Sequence, residues 1–576
     1  VNTQLHLYGY RTAEVELPEP DLGVREGSTV RVHPVAPKPR RPVSVTLPLY
    51  VKGVACPTPD MKDMSTIVMG ACKRILNPLP REMSPLMLKR FKIFVTNWVK
   101  LNLVPLPTDV DTSRETWLSQ ANYPEWRKQE LRSIDLTEWE VPKEFFECKS
   151  FIKYETYAEY KHARTINPRP DEFKVFSGPI FKLIEKEVFK LSYFIKKVPL
   201  DDRAEYIMDN VYVPGSSYFV TDYTSFESSF TPSVLDACEM VLYKHMSQGL
   251  PGGAGWFKTI RKALCGKQKL QFGHVTATTR GTRMSGDMCT SLGNGFTNLM
   301  LMLFAGECLD LGHMRAVFEG DDGLGCFEKG VPNSDFFLKL GFRVKLEIVP
   351  DLFEASFCGM VFDPEAKQKM NDPQAFFADL GWTTAQYMGA SRPKLLGLLK
   401  AKAMSGLYEW RGAPMVPHLC RRICHLTRKY DWRVVLKSKS TSMWLREQYI
   451  EMAQSSLPFE EPKMATRLLF EKRYGIPITA QLAFESRADS LELGPLDIWE
   501  VPFPELWSKN WNSYVCSKGW INASTFEAQA SKPLVHPFVR ELMIQQINSD
   551  TAGIKDERER LRVTIRKLST MNDLLR

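Results

Sequence analysis

Two adjacent carboxylates, Asp321 and Asp322, stand between glycines in the stretch Arg315-Ala-Val-Phe-Glu-Gly320-Asp321-Asp322-Gly323-Leu-Gly-Cys-Phe-Glu328. Apolar, β-prone residues on both sides of a Gly-Asp-Asp-Gly tip are the composition of a short hairpin. Two carboxylates at such a tip repel each other. Hard divalent cations prefer carboxylate oxygens, so magnesium is the natural counter-charge. A solvated acidic turn is the alternative, and Asp201-Asp202 shows that the dipeptide alone decides nothing. The reading depends on what else the chain brings to the same place.

Several stretches qualify. Tyr218-Phe-Val-Thr-Asp222 reads as a strand ending on a carboxylate, with Glu227 five residues on in the turn beyond it. Arg283-Met-Ser285-Gly286-Asp287 is a glycine-containing loop ahead of a helix predicted over 288–304. On that helix Asp287, Thr290 and Asn294 would share one face. Burying a polar stripe bare costs a few kcal/mol, so it needs partners: a substrate sugar or internal capping. Lys153-Tyr-Glu155, Lys161 and Arg164 interleave cations with extended residues. That pattern suits a channel for polyphosphates or, equally, a charged surface hairpin. Lys345 falls in a strand predicted over 342–348, and Phe357 to Phe362 reads as a further strand.

The elements that must position these residues are carried by 576 residues, enough for several cores. Residues 1–60 hold nine of the 38 prolines and read as an extended basic arm laid over a surface, with folded structure beginning near Met61. Ser84-Pro85 launches a helix to about Lys100, and Thr112-x-x-Glu115 has the form of a capping box. Phe176-Ser-Gly-Pro179 reads as a turn before a helix over 180–196. Thr231-Pro232 starts another helix, and Asn333 with Gly341 brackets a short one. Beyond 363 the pattern is helical, ending in a charged amphipathic helix from Ile554 to Leu575.

No apolar run approaches the roughly 18 residues a membrane span needs. The chain opens on Val1, as expected of a processed or excised piece of something longer. Its 12 cysteines include no Cys-x-x-Cys pair, the usage of a reducing compartment. His418-x-Cys420-x3-Cys424-His425 reads as a buried helix face rather than a zinc site. Between residues 386 and 446 stand 13 Lys/Arg against 2 Asp/Glu, more excess charge than the +9 of the whole chain. With Trp410, Tyr430 and Trp432 interleaved, that segment favours a nucleic-acid backbone over a merely solvated helical face.

Taken in order, these stretches resemble the palm of template-dependent RNA polymerases of positive-strand RNA viruses. Asp222-x4-Glu227 is similar to motif A, with Glu where many members have Asp. Ser285-Gly-x3-Thr290-x3-Asn294 is similar to motif B, and Gly320-Asp321-Asp322 to motif C. Lys345 falls in the motif D region, Phe357-Cys-Gly359 resembles motif E, and Lys153, Glu155, Lys161, Arg164 and Ile166 resemble motif F. The string from Arg283 to Asn294 most resembles tombus-like and noda-like replicases.

The resemblance implies an α+β right-hand fold with fingers, an antiparallel-sheet palm and a helical thumb. It divides the chain into an arm (1–60), fingers (61–215, motif F at 153–176), palm (216–247), a fingers insertion (248–279), palm again (280–362), thumb (363–480) and a C-terminal extension (481–576). It implies RNA synthesis from ribonucleoside triphosphates on an RNA template, replicating and transcribing a viral RNA genome. Two divalent ions about 4 Å apart serve such chemistry. They would be Mg²⁺, with Mn²⁺ as a substitute, held by Asp222, Asp321 and Asp322. Lys345 would be a proton donor to pyrophosphate. Glu227, Ser285, Gly286, Thr290 and Asn294 would receive the nucleotide and its ribose, whose 2′-hydroxyl marks RNA. Lys153, Lys161 and Arg164 would hold the triphosphate.

The expected partners are template and product RNA, rNTPs and other viral replication proteins. Location would be the host cytoplasm at membrane-associated complexes, with membrane contact through partners or a missing upstream region. A reverse transcriptase would resemble its own family in having a bulky aromatic at the Glu227 position and no Ser-Gly…Thr…Asn helix. A non-catalytic RNA-binding protein would be indifferent to the loss of Asp321.

Overall fold

The computed structural model describes residues 23–33, 44–51, 61–121, 123–136, 143–153, 162–199, 202–362, 369–384, 389–437 and 459–498, with scattered positions outside those stretches. Lys161, Asp201, the Lys38–Pro42 basic run and nearly all of the helix expected over 554–575 lie outside the described residues.

Ordered structure precedes Met61. Three short strands, β1 (Thr29–Val32), β2 (Ser44–Thr46) and β3 (Tyr50–Val51), each complete a sheet whose other strand lies far along the chain. Next come helices Met64–Arg74, Pro85–Asn102, Arg114–Gln120 and Glu125–Arg132. Ser84 caps the second of these as expected. Ser113, rather than Thr112, caps the third, its Oγ accepting from the Thr116 N–H. Strands β4 (Glu147–Lys149), β5 (Phe151–Ile152) and β6 (Thr165–Ile166) follow, β5 and β6 pairing as a small antiparallel ladder.

The helix expected over 180–196 runs instead over Asp171–Val188, with Pro179 inside it. The Trp117 ring, brought from the Arg114–Gln120 helix, packs so closely on Gly178 that a Cβ there would stand 2.7 Å from it. That contact, together with the burial of Phe173, Ile180 and Phe181, holds the turn-prone tetrapeptide helical. Tertiary packing overrides local propensity here.

Strand β7 (Tyr218–Tyr223) ends at the short helix Phe226–Ser229, so Glu227 is helical rather than in an open turn. Helices Pro232–Ala237, Glu239–Ser247 and Gly253–Cys265 lead to β8 (Lys267–Phe272) and β9 (Val275–Arg280), which form the sheet β1-β9-β8-β4. After the Thr290–Cys308 helix come β10 (Met314–Glu319), β11 (Asp322–Phe327) and β12 (Val344–Val349). These make the central antiparallel sheet, order β10-β11-β7-β12.

Alternation along the central strands decides which helix covers which face. Phe219, Ala316, Phe318 and Phe327 share a core with Leu299, Met300 and Phe304 of the Thr290–Cys308 helix. Tyr218, Val220, Val317 and Leu324 share another with Ala204, Ile207 and Val211 of the Arg203–Val211 helix. The sheet is thereby clamped between helices on both faces.

The chain continues through β13 (Val361–Phe362), β14 (Lys369–Met370), β15 (Trp382–Thr384), which pairs with β2, and β16 (Pro495–Leu496), which pairs with β3. The segment from 373 to 488 is otherwise built of helices, chiefly Pro373–Leu380, Arg392–Glu409, Val416–Leu426, Met464–Tyr474 and Ile478–Ala488. Cys420 is fully buried on the Val416–Leu426 helix, and no metal-binding group of His, Cys, Asp or Glu occurs among the described residues.

Candidate active site

The β10–β11 hairpin turns in two residues, Gly320 and Asp321, with Glu319 opposite Asp322. Gly320 has φ of +65°, a conformation that side chains resist. On the next strand Thr221 pairs with Gly323, so continuing that register by one residue sets Asp222 level with Asp322. On the far side of Asp222, Lys345 is its direct partner in β12. Opposed residues of an antiparallel pair project to the same face, so Asp322, Asp222 and Lys345 form a row across the sheet.

The tip is held by its backbone. Asn298 Nδ2 donates to Asp321 O at 2.9 Å and Gly320 O at 3.4 Å, while its Oδ1 accepts from the Tyr223 hydroxyl at 3.1 Å. Thr221 Oγ1 also donates to Asp321 O, at 3.1 Å. Asn298 was not among the expected residues. It lies one helical turn beyond Asn294, and that spacing was its available signal.

Electrostatically the tip is unfinished. Asp321 is solvent-accessible at the tip, yet protein crowding, with the charges of Glu227 and Asp222, holds its carboxyl above the ordinary value against the pull of Arg164. Half-buried Asp322 is pushed up to about 7 by burial and by Asp321, with Asp222 and Glu319 adding to the repulsion and a Cys358 thiol hydrogen bond opposing it. The donors are hard carboxylate oxygens on neighbouring strands, and a divalent cation would relieve their repulsion. They do not cage an ion unaided. Magnesium characteristically takes one or two carboxylates and completes its shell with water and substrate phosphates, so the donor set fits.

The Ser285–Gly286 loop lies against this site. Ser285 Oγ donates to Glu227 Oε1 at 2.9 Å, and the Arg283 N–H donates to Glu227 O at 3.2 Å. Gly286 has φ of +118°, and a Cβ there would meet Pro168 and Ile166 at 3.1–3.2 Å. Asp287 departs from expectation. The helix begins at Thr290, and Asp287 sits in the preceding turn, paired with Arg169 at 2.8 Å, both side chains 1 % exposed. Arg283 makes a second fully buried pair with Glu239 and stacks on Phe230. Thr290 Oγ1 is occupied by Met284 O and Asp287 O, the internal-capping alternative. Asn294 is different: it is buried, and its Oδ1 has no hydrogen-bond partner.

A small cavity of about 70 Å³ joins these parts, lined by Arg74, Ile75, Lys153, Arg164, Thr165, Ile166, Glu227 and Ser285. Behind it Glu155 accepts two hydrogen bonds from Arg164, at 2.6 and 2.7 Å, and an ion pair from Lys153 at 2.8 Å. Burial would raise that carboxyl, but the two cations outweigh it and bring it down to about 2. A larger pocket of about 240 Å³, between Trp117 and Lys186, shares none of these residues.

The basic segment is less charged in place than in composition. Lys402, Arg411, Arg421 and Arg422 pair with Asp379, Glu460, Asp489 and Glu492, all outside it in sequence. Trp410 is 2 % exposed and belongs to the core, so it cannot stack on a nucleic acid.

Residues 226–494 match the family model described as viral RNA dependent RNA polymerase. The enzyme is an RNA-dependent RNA polymerase. No curated protein sequence matches it. The clamped antiparallel sheet with its Gly-Asp-Asp hairpin is accordingly read in a right-hand polymerase fold, and the enzyme is a nucleotidyltransferase that works with an RNA template and nucleotide substrates. The family match starts four residues beyond Asp222, so Asp222 and the Lys153–Arg164 clasp lie outside it.

Proposed function

We propose that this polymerase replicates and transcribes a viral RNA genome by metal-assisted nucleotidyl transfer, in the manner of tombus-like and noda-like replicases. The observation that carries the reading is the grouping of three mutually repelling carboxylates at and beside the hairpin tip, with Asn294 buried next to Gly295, which packs on that tip, and its Oδ1 without a hydrogen-bond partner. Bound Mg²⁺, with Mn²⁺ as a substitute, supplies charge neutralisation of the reacting phosphate and activation of the attacking hydroxyl. Asp222 and Asp321 would be the principal ligands of the ions, with Asp322 as the helper.

The remaining roles belong to the chain's own groups. Asn294 offers its free Oδ1 to a ribose hydroxyl, an interaction that a 2′-deoxy sugar cannot make. Glu227 is held by Ser285 beside it and completes the sugar pocket. Gly286 lets the loop approach Pro168 closely, and Thr290 holds the loop's start. Arg164 and Lys153, with Lys161, draw the triphosphate in, and Lys345, beside Asp222, donates a proton to departing pyrophosphate. The fingers, palm and thumb follow the boundaries given above, with the segment 386–446 facing template and product. Other viral replication proteins would join it at membrane-associated complexes in the host cytoplasm. No described helix is long and apolar enough to cross a membrane.

The test is incorporation by the purified chain with Mg²⁺, an RNA template and labelled nucleotides. RNA product from rNTPs is expected, and Asp321→Asn should abolish it while RNA binding survives. Preference for dNTPs on the RNA template would overturn the reading in favour of reverse transcription. Indifference to Asp321→Asn would reduce the site to a binding scaffold.

A further inference from the structure

We propose that Arg74 is a phosphate-binding residue of the nucleotide cavity and, among the described residues lining it, the cation that is uncommitted before substrate arrives. The inference rests on the polymerase reading above and adds to it a residue far from every motif and outside the matched span 226–494.

Arg74 ends the Met64–Arg74 helix and lines the same cavity as Lys153, Arg164, Glu227 and Ser285. Its companions are engaged. Arg164 grips both oxygens of Glu155, and Lys153 pairs with the same carboxylate. Glu227 accepts from Ser285. No carboxylate is paired with Arg74 among the described residues, although it is half-buried. Nearby His162 is held below its ordinary value by burial and by the charges of Lys73 and Arg74, a sign of surplus positive potential on this side.

The helix end is fixed against the site at two places. Ser225 Oγ, on the turn between Asp222 and Glu227, donates to Lys73 O at 2.6 Å. Gly70 lies so close to the segment leading into β6 that a Cβ would stand 2.7 Å from Ala163 O. The helix end that bears Arg74 is therefore held beside the segment that carries Arg164.

Charge counting makes the residue matter. Among the described residues three cations (Arg74, Lys153, Arg164) meet two carboxylates (Glu155, Glu227). Without Arg74 this described group is neutral, and the site's attraction for a polyanion falls. A planar guanidinium also matches phosphate oxygens two at a time, which an ammonium does not.

The experiment is steady-state extension of an RNA primer–template by the full chain, comparing wild type, Arg74→Ala and Arg74→Lys after confirming equal melting temperatures. Arg74→Ala should raise KM for all four rNTPs about tenfold, with kcat within about threefold and RNA affinity unchanged, and Arg74→Lys should recover part of the loss. Inorganic tripolyphosphate, followed by thermal shift, should bind Arg74→Ala about tenfold more weakly. That arm reads Arg74 whether or not the protein turns over. Absence of product from wild type would sink the polymerase reading, whereas unchanged tripolyphosphate affinity would sink this inference alone. Weakened RNA affinity with unchanged KM would overturn it too, making Arg74 a template contact.

Discussion

Two charged loops meet at the centre of this polymerase and treat their charges in opposite ways. At the Gly320–Asp321 tip, two carboxylates are held by backbone hydrogen bonds while their own charges stay uncompensated and raised in pKa. In the Arg283–Asp287 loop, the charged residue at each end is buried and paired, with Glu239 and Arg169. The first loop keeps its electrostatic demand open for something that arrives; the second closes it to hold a shape. Charge alone therefore does not mark a functional group, but charge without a partner does.

The contrast breaks cleanly by mutation. Asp321→Asn should cut RNA synthesis at least about a thousandfold, since under the proposed mechanism it would remove a principal ligand of the catalytic ion. Its melting temperature should stay level or rise, because a repelling charge is gone. Asp287→Asn should do the reverse to stability. Leaving Arg169 buried and uncompensated costs about 3–5 kcal/mol, measurable by denaturant unfolding. A stable Asp287→Asn variant would mean that the buried pair is not the loop's anchor.

Asn294→Ala sharpens the comparison from the substrate side. It should lower the preference for rNTP over dNTP about tenfold in kcat/KM, one hydrogen bond's worth, with little change in melting temperature. The smallest effect belongs to the Glu155 clasp, whose carboxyl falls from an ordinary 4.5 to about 2. A depressed acid stabilises the fold above its unfolded value and loses that contribution as pH falls through the folded one. Wild type should thus exceed Glu155→Gln by about 1 kcal/mol at pH 6, an advantage that vanishes as pH falls from about 4.5 to 2. Arg164 is half exposed, which keeps the figure small.

Local grammar made much of this legible. The hairpin announces itself through β-prone residues around Gly-Asp-Asp-Gly, and Ser84-Pro85 and Asn333 start helices where their side chains predict. The carboxylates stood out because repelling acids at a hairpin tip call for a counter-charge. What escaped was decided by partners distant in sequence. Asp287 reads as part of a helical stripe until Arg169 claims it, and Phe176–Pro179 reads as a turn until Trp117 packs over it. The charge of 386–446 looked like surface until acids from elsewhere were brought to it. Arg74 carried no local signal at all, because a lone arginine ending a helix is ordinary.

The three N-terminal strands have a consequence for the order of assembly. Thr29 pairs with Thr278, Val45 with Thr383, and Tyr50 with Pro495. A chain emerging from the ribosome makes each of these strands well ahead of its partner, and β3 stays unpaired until Pro495 and Leu496 have been made. Contacts of such long separation form slowly, since a very large loop closes before any of them is rewarded. The short lengths and frequent prolines of this segment suit that wait: strands of two to four residues interrupted by proline make poor templates for aggregation. These three strands are thus among the last elements to find their places, and they report completion of the fold.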